Sequence, residues 1–333
     1  MNLQERIGLL SRLGEYMLSG DIQWKQAKEK AAAENSWFIP EFIDTASENI
    51  AQYFLKKDIL EKWTAYYKLP TINNKPETVG IVMAGNIPLV GFHDLLSVFI
   101  TGHRAMVKPS SRDQVLIRHL VDKMTEWNKE VSSLISFEER LKGCGVYIAT
   151  GSNNTAAHFE YYFRKYPHII RRNKTSVAVL SGKETKEDLE KLADDVYLYF
   201  GLGCRNVTKI YVPAGYDFIP LLSAFKKYNW LADHHKYKNN YDYNLSLHLL
   251  NKKFYMSNES LLLVEETALF SPISQLNYEF YTDINALKAS LNESKEIQGI
   301  TGHDFLPLGS GQQPSVNNYA DGIDTISFLA QLK

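Results

Sequence analysis

TKEDLEKLADDVYLYFGLGCRNVTKIYV, residues 185–212, reads as a helix, a glycine-rich turn and a strand in immediate succession. Thr185 and Asp188 fit a capping box, and Leu189, Leu192, Ala193, Val196 and Phe200 recur at helical spacing, so the helix is expected to run from Thr185 to Phe200. Gly201 and Gly203 then end it. Val207 to Val212 alternates and carries β-branched and aromatic residues, which makes it a strand. Between the two stands Cys204. A thiolate is the strongest common protein nucleophile near neutral pH, and cysteine esters stay activated enough to pass an acyl group onward. Arg205 beside it would favour that thiolate. A small buried thiol is the competing reading, and on this stretch alone the two stand level.

Upstream, the same strand-to-helix step recurs. Thr78–Ala84, His103–Lys108, Gly145–Ala149 and Ser176–Leu180 read as strands; Pro88–Thr101, Arg112–Trp127, Asn153–Tyr166 and the Thr185 segment read as their helices. Repetition in one direction implies an α/β fold with a mostly parallel, doubly wound sheet, whose ligands are expected at the carboxyl ends of the strands. Ahead of it, Leu3–Leu18, Trp24–Glu34 and Pro40–Tyr67 have amphipathic helical patterns rich in aromatics, and Leu69–Pro76 is a loop. Beyond Cys204 the pattern loosens into a second domain: strand Ile210–Val212, helix Phe218–Tyr228, a polar Lys/Asn/Tyr stretch from Asp233 to Tyr243, and strand near Leu261–Val264. Gly302–Ile326, rich in Gly, Pro, Asn and Asp, reads as a loop returning to the cleft.

A chain of 333 residues with 37 basic and 38 acidic side chains has no general attraction for nucleic acid or anionic membrane. The two cysteines, Cys144 and Cys204, fit a reducing compartment, and the polar start Met1–Arg6 with no membrane-length apolar run points to the cytoplasm. His234, His235 and His248 are not at metal-site spacing, so no metal is expected.

The expected strand ends carry polar groups. Asn86, after the first strand, suits an oxyanion donor or a helix cap. Lys108, with Ser110 and Ser111 after it, sets an ammonium where a ribose or phosphate would sit, against a solvated lysine as the simpler reading. Gly151 and Ser152 open a helix N-terminus, a common anion site. Leu180–Lys183 lacks the upstream glycine and following hydroxyl of a P-loop.

In this order the motifs resemble the aldehyde dehydrogenase superfamily. Met83–Pro88 is similar to its Pro-Trp-Asn-Phe-Pro, Lys108–Ser111 to its Lys-Pro-Ser-Glu, Thr150–Ser152 to its Thr-Gly-Ser, Val179–Lys183 to its Glu-Leu-Gly-Gly-Lys and Gly201–Cys204 to its Gly-Gln-x-Cys. Glu265, Glu266, Phe270 and Pro272 resemble a stretched Glu-Glu-x-Phe-Gly-Pro. Closer still is the fatty acyl-CoA reductase (LuxC) family of bacterial bioluminescence, which Gly201–Asn206 and Gln312–Thr325 resemble. The resemblance spans residues 40–333. It implies a Rossmann-type parallel-sheet domain with a smaller α/β catalytic domain: a helical segment over 1–70, a nucleotide-binding domain over 71–200, a cysteine domain over 201–300 and a C-terminal segment over 301–333.

It also implies Cys204 as nucleophile, Asn86 as oxyanion donor, and Lys108, Ser110, Ser111, Gly151, Ser152, Gly182 and Glu266 as cofactor-binding residues. Val179 stands where the superfamily has its water-activating glutamate, which favours transfer to or from coenzyme A. Ser111 replaces a carboxylate that would repel a 2′-phosphate, which favours NADPH, with NADH the other donor. Three residues, Thr267, Ala268 and Leu269, lengthen the motif after Glu266. The implied reaction is NADPH-dependent reduction of an acyl-CoA to the aldehyde through a cysteine acyl-enzyme. Two rivals stand beside it: a cysteine acyltransferase or thioesterase with a histidine base, for which His93 and His303 lie nearest the motifs, and a non-catalytic acyl-binding scaffold. Superfamily symmetry suggests a homo-oligomer, and the pathway an acyl-transferase or ligase partner protein.

Overall fold

The computed structural model describes residues 1–302 and 304–332. Compactness divides it into two units, residues 1–173 with 314–333, and residues 174–313.

The first unit begins with α1 (Leu3–Leu18), α2 (Ile22–Glu34), α3 (Pro40–Tyr53) and α4 (Lys57–Tyr66). Asn2 and Glu5 form a capping box on α1, Asp21 caps α2, and Pro40 opens α3 at a position where its missing N–H costs nothing. The single helical pattern expected over Pro40–Tyr67 is thus two helices. Strands β1 (Thr78–Val82), β2 (Arg104–Lys108), β3 (Ile135–Phe137), β4 (Val146–Thr150) and β5 (His168–Arg171) alternate with α5 (Phe92–Ile100), α6 (Gln114–Trp127), the short α7 (Val131–Leu134) and α8 (Asn153–Phe163). The sheet order is β3-β2-β1-β4-β5, parallel throughout. That is the strand order of a doubly wound, Rossmann-like parallel sheet, with its switch point between β1 and β4. One core joins the sheet to the helices, from Ile7 and Leu13 of α1 through Val79 and Ile81 of β1 to Ile326 near the C-terminus. His103 and Arg171 tie the last helix of the unit, α13 (Thr325–Ala330), into it: His103 Nε2 lies 3.1 Å from Leu329 O, and Arg171 donates to Thr325 Oγ1.

The second unit holds β6 (Thr175–Val179), α9 (Lys186–Tyr197), β7 (Val207–Pro213), α10 (Ile219–Phe225), α11 (His235–Leu250), β8 (Met256–Ser257), β9 (Leu262–Glu265), β10 (Gln275–Tyr281), α12 (Ile284–Glu293) and β11 (Ile297–Gly302). Its sheet runs β11-β6-β7-β10-β9-β8, and β8 alone is antiparallel to its neighbour. The strand expected at Ser176–Leu180 therefore exists but pairs here, not beside β4. The polar stretch Asp233–Tyr243 is largely helix, with Tyr237, Tyr241 and Asn244 buried. Among the described residues no helix is long and apolar enough to cross a membrane.

Candidate active site

The capping box of Thr185 and Asp188 forms as read, but α9 ends at Tyr197, short of Phe200. Tyr199, Phe200 and Gly201 follow with φ of 55°, 56° and 73°. Left-handed backbone costs a residue with a Cβ about 1–2 kcal/mol, so this turn is strained at two bulky aromatics. Burial of both rings holds it, Tyr199 at 5% and Phe200 at 1% exposure. Cys204 comes directly after, half-buried, as a thiol. Arg205 is largely withdrawn from water, which lowers its pKa, while the Cys204 thiolate acts to raise it.

Ser176 Oγ donates to the Cys204 carbonyl at 3.2 Å, and Ser176 pairs with Val207 in the ladder. Cys204 therefore stands at the amino ends of β6 and β7, as its place between a helix and the following strand implies. Val179 ends β6 at the other edge, roughly 10 Å along the strand at ordinary strand rise. A valine there says nothing about water activation at the thiol, and so carries no weight in favour of coenzyme A. Gly182 lies just beyond, at φ 83°, and its N–H donates to the Glu184 carboxylate, which also receives the Ser181 N–H and hydroxyl. Gly182 and Cys204 are not brought together.

Glu266 follows β9. Lys253 holds it at 2.6 Å and pulls its carboxyl below the usual range, with the Thr267 N–H accepted as well. The added residues after it form a crossover between the parallel strands β9 and β10 that contains no helix. Its carbonyls are secured by side chains instead: Lys209 Nζ donates to Thr267 O, Asn277 to Ala268 O and Phe270 O, and Thr208 to Leu269 O. Lys209 is fully buried and pairs with Glu279 at 2.5 Å. The lengthened motif is thus a braced loop.

Sequence reading missed Asp195 of α9, whose only signal was a carboxylate three residues after Leu192 on the apolar face. It is fully buried; its carboxylate accepts from the N–H groups of Gly309 at 2.8 Å and Gly311 at 3.0 Å. Burial, against those bonds, raises its pKa from 3.8 to about 7. Because the folded chain holds this proton more tightly than the unfolded one, stability is full below about pH 4 and falls as pH rises towards 7, by a few kcal/mol at about 1.4 kcal/mol per unit. Thermal unfolding from pH 4 to 8 should show that decline, and Asp195→Asn should flatten it while losing about 1 kcal/mol uniformly, because one acceptor oxygen becomes a donor facing an N–H. A wild-type midpoint that rises over this range would exclude the assignment.

In the first unit, the turn after β1 brings Asn86 out half-buried. The helix expected from Pro88 starts at Phe92, because Leu89 is left-handed at φ 58° and donates its N–H to Asp113 Oδ2 at 2.7 Å. Asp113 is buried, its Oδ1 has no hydrogen-bond partner, and desolvation pushes its pKa well up. A Cβ on Gly85 would run into Ser110, so the β1 and β2 turns pack directly on one another. Lys108, Ser110 and Ser111 end β2, Lys108 and Ser111 exposed. Ser110 Oγ accepts the Arg112 N–H at 3.2 Å. After β4, Gly151 leads into Ser152, which caps α8 by accepting the Thr155 N–H at 3.3 Å. The structure therefore gathers Asn86, Lys108, Ser110, Ser111, Gly151 and Ser152 at the carboxyl ends of β1, β2 and β4, where a parallel sheet of this order binds nucleotides.

His93 is enclosed by Phe54, Trp63 and Tyr319, with Nε2 2.8 Å from Val316 O, and so serves packing. His303 lies outside the described residues. Residues 314–325 are also structural: Tyr319 accepts from Trp63 Nε1 and donates to Tyr67, which donates to Asp324, and Asp321 accepts the Arg172 N–H. Among the described residues no cluster of His, Cys, Asp or Glu could hold a metal.

The chain has an aldehyde dehydrogenase-like α/β fold. A Mycobacterium tuberculosis aldehyde dehydrogenase complexed with NAD+ superposes with a TM-score of 0.67 at 12% identity, over 95% of this chain and 77% of that one. A mutant of aldehyde dehydrogenase C from Pseudomonas syringae, complexed with NAD+ and octanal, gives 0.65 at 10% identity over 91% and 73%. An NADP-dependent enzyme of E. coli gives 0.64 at 11% identity over 89% and 72%. No protein-family model matches the chain, and no curated protein matches it in sequence.

Proposed function

We propose that the protein is a nicotinamide-dependent oxidoreductase of aldehydes and their acyl derivatives, and more specifically that it reduces an acyl-CoA to the aldehyde through Cys204. The observation that carries the reading is the thiol on a strained turn beside Arg205, in a fold whose other unit has the strand order of a doubly wound sheet. Cys204 Sγ attacks the thioester carbonyl, and coenzyme A leaves with the electrons of the broken C–S bond and takes up a proton. The Cys204 N–H is an oxyanion donor of this reading. NADPH, when bound, supplies the hydride that brings the acyl group to the aldehyde level, and the aldehyde is released as the cysteine thiolate departs.

The residues of the first unit fit such a cofactor. Lys108 offers an exposed ammonium, the first turn of α8 offers backbone N–H groups, and the nearest carboxylate after Ser111, Asp113, is turned inward to Leu89. A hydroxyl at position 111 in place of a carboxylate removes repulsion of a 2′-phosphate from that position, which favours NADPH over NADH. Resemblance to the LuxC family at residues 201–206 and 312–325 supports acyl-CoA as the substrate.

Purified protein mixed with a panel of acyl-CoAs and NADPH should oxidise the nucleotide only when both are present and release free coenzyme A in equal amount. Release of coenzyme A without nucleotide oxidation would make the protein an acyltransferase or thioesterase. Absence of both would leave the scaffold reading.

A further inference from the structure

We infer that Asn206 is the positioning residue of the nucleophile turn, setting the direction of the Cys204 side chain and of its N–H; the inference rests on Cys204 acting as the nucleophile. Asn206 is fully buried. Its Oδ1 accepts the Gly203 N–H at 2.8 Å. Its Nδ2 donates to the carbonyls at the end of α9, Leu198 at 2.8 Å, Asp195 at 3.0 Å and Val196 at 3.4 Å. The backbone repeats the clamp, since the Asn206 N–H donates to Gly203 O at 3.0 Å and its carbonyl accepts from the Ser176 N–H at 3.1 Å.

One amide therefore joins the end of α9 to the residue before Cys204, bridging the left-handed run at Tyr199, Phe200 and Gly201. The chain leaves its helix through that run, and the turn bond from the Leu202 N–H to Tyr199 O spans only part of it, whereas the Asn206 amide spans the whole. Asparagine suits the place because it presents an acceptor and a donor on one planar group, and three carbonyl oxygens meet the donor side. Leucine would fill similar space but leave the Gly203 N–H and the carbonyls without this partner. Aspartate would keep the acceptor and set a carboxylate against those carbonyls, which forces it to take a proton or swing the turn.

The titratable groups around the turn are Asp195 and Tyr197 on α9, Tyr199, Cys204 and Arg205 on the turn itself, and His234 and Tyr237, whose rings pack against Phe200, while β6 contributes Thr175 and Ser176, which do not titrate. Comparing variant with wild type at each pH cancels what these contribute.

The test is the rate of Cys204 alkylation by iodoacetamide from pH 5 to 9 in the full chain, read by intact mass, for wild type, Asn206→Asp and the smaller change Asn206→Ser, with thermal unfolding of each. Wild type should react faster as pH rises. Asn206→Asp should react roughly tenfold more slowly than wild type at pH 8, since alkylation follows the ionisation and exposure of the thiol, and a swung turn changes both. It should approach wild type as pH falls, because a protonated carboxyl again donates towards α9 while accepting from Gly203. Asn206→Ser should lie between them without the reversal. Folded variants whose rates stay within twofold of wild type at every pH overturn the proposal, and so does failure of both variants to fold, which would assign Asn206 to folding alone. Alkylation needs neither acyl-CoA nor nucleotide, so a reversed profile in a protein that reduces no acyl-CoA would sink the proposed reaction and leave the positioning role standing.

Discussion

Cys204→Ala is expected to abolish acyl-CoA-dependent NADPH oxidation, by on the order of a thousandfold or more, because no second group can take over covalent capture of the acyl chain. The sequence has one other cysteine, Cys144. That thiol is 3% exposed, its Sγ donates to Met106 Sδ at 3.6 Å, and burial raises its pKa, all of which make it inert. Alkylation should therefore label wild type once and the variant not at all. The substitution removes a single half-buried sulfur, so the unfolding midpoint should hardly move. Serine at the same position should be as inactive as alanine, since a hydroxyl is not ionised at neutral pH and is a weak nucleophile until a base activates it. Persistence of acyl-CoA-dependent oxidation in the folded alanine variant would rule out the acyl-enzyme. Loss of coenzyme A release together with loss of oxidation would instead tie both half-reactions to one sulfur.

What could be read in the sequence was what neighbours in the chain decide. Thr185 and Asp188 are three residues apart and cap their helix; Val79 and Ile81 sit in a short apolar run and form the middle of a sheet; two glycines precede Cys204 and the helix stops before them. Sheet membership was not readable, because β6 with α9 continues the same strand-helix rhythm as the strands of the first unit and differs only in which edge it pairs with. Strands of three and four residues at β3 and β5 gave no periodic signal long enough to detect. The helix α11 hid for the opposite reason: it buries tyrosines and an asparagine, and turns Leu249 and Leu250 outward, so its apolar residues do not mark its inner face. A cysteine placed before a strand lies at that strand's amino end whatever the motif order suggests, and the pairing of Ser176 with Val207 makes this explicit. Asp195 and Arg171 act on partners distant in sequence, and nothing local marks them.

Arg171→Leu is expected to destabilise the first unit by about 3–5 kcal/mol, the cost of breaking a buried ion pair on one side. Arg171 ends β5 with a side chain 3% exposed, and Asp94 in the first turn of α5 is 12% exposed. The guanidinium meets both carboxylate oxygens, Nη2 to Oδ1 at 2.7 Å and Nε to Oδ2 at 3.4 Å. It also donates from Nη1 to Ala320 O at 2.5 Å and from Nη2 to Thr325 Oγ1 at 2.8 Å. One side chain thereby joins the sheet edge, a sheet-covering helix and the C-terminal segment. Leucine would strand the Asp94 charge and remove the donors at Ala320 and Thr325. Lysine keeps the charge but not the fork, so Arg171→Lys should recover only part of the loss. The double change Arg171→Leu with Asp94→Leu should be markedly more stable than Arg171→Leu alone, because the penalty comes from the unpaired charge more than from the missing attraction. Against a total stability of about 5–15 kcal/mol for an ordinary domain, the single change should also loosen residues 314–332 enough for limited proteolysis to cut there first. Denaturant titration of the four proteins decides the matter: a loss below about 1 kcal/mol in Arg171→Leu, or no recovery in the double variant, would mean that the apolar contacts of Ile326 and Leu329, not this ion pair, hold the segment in place.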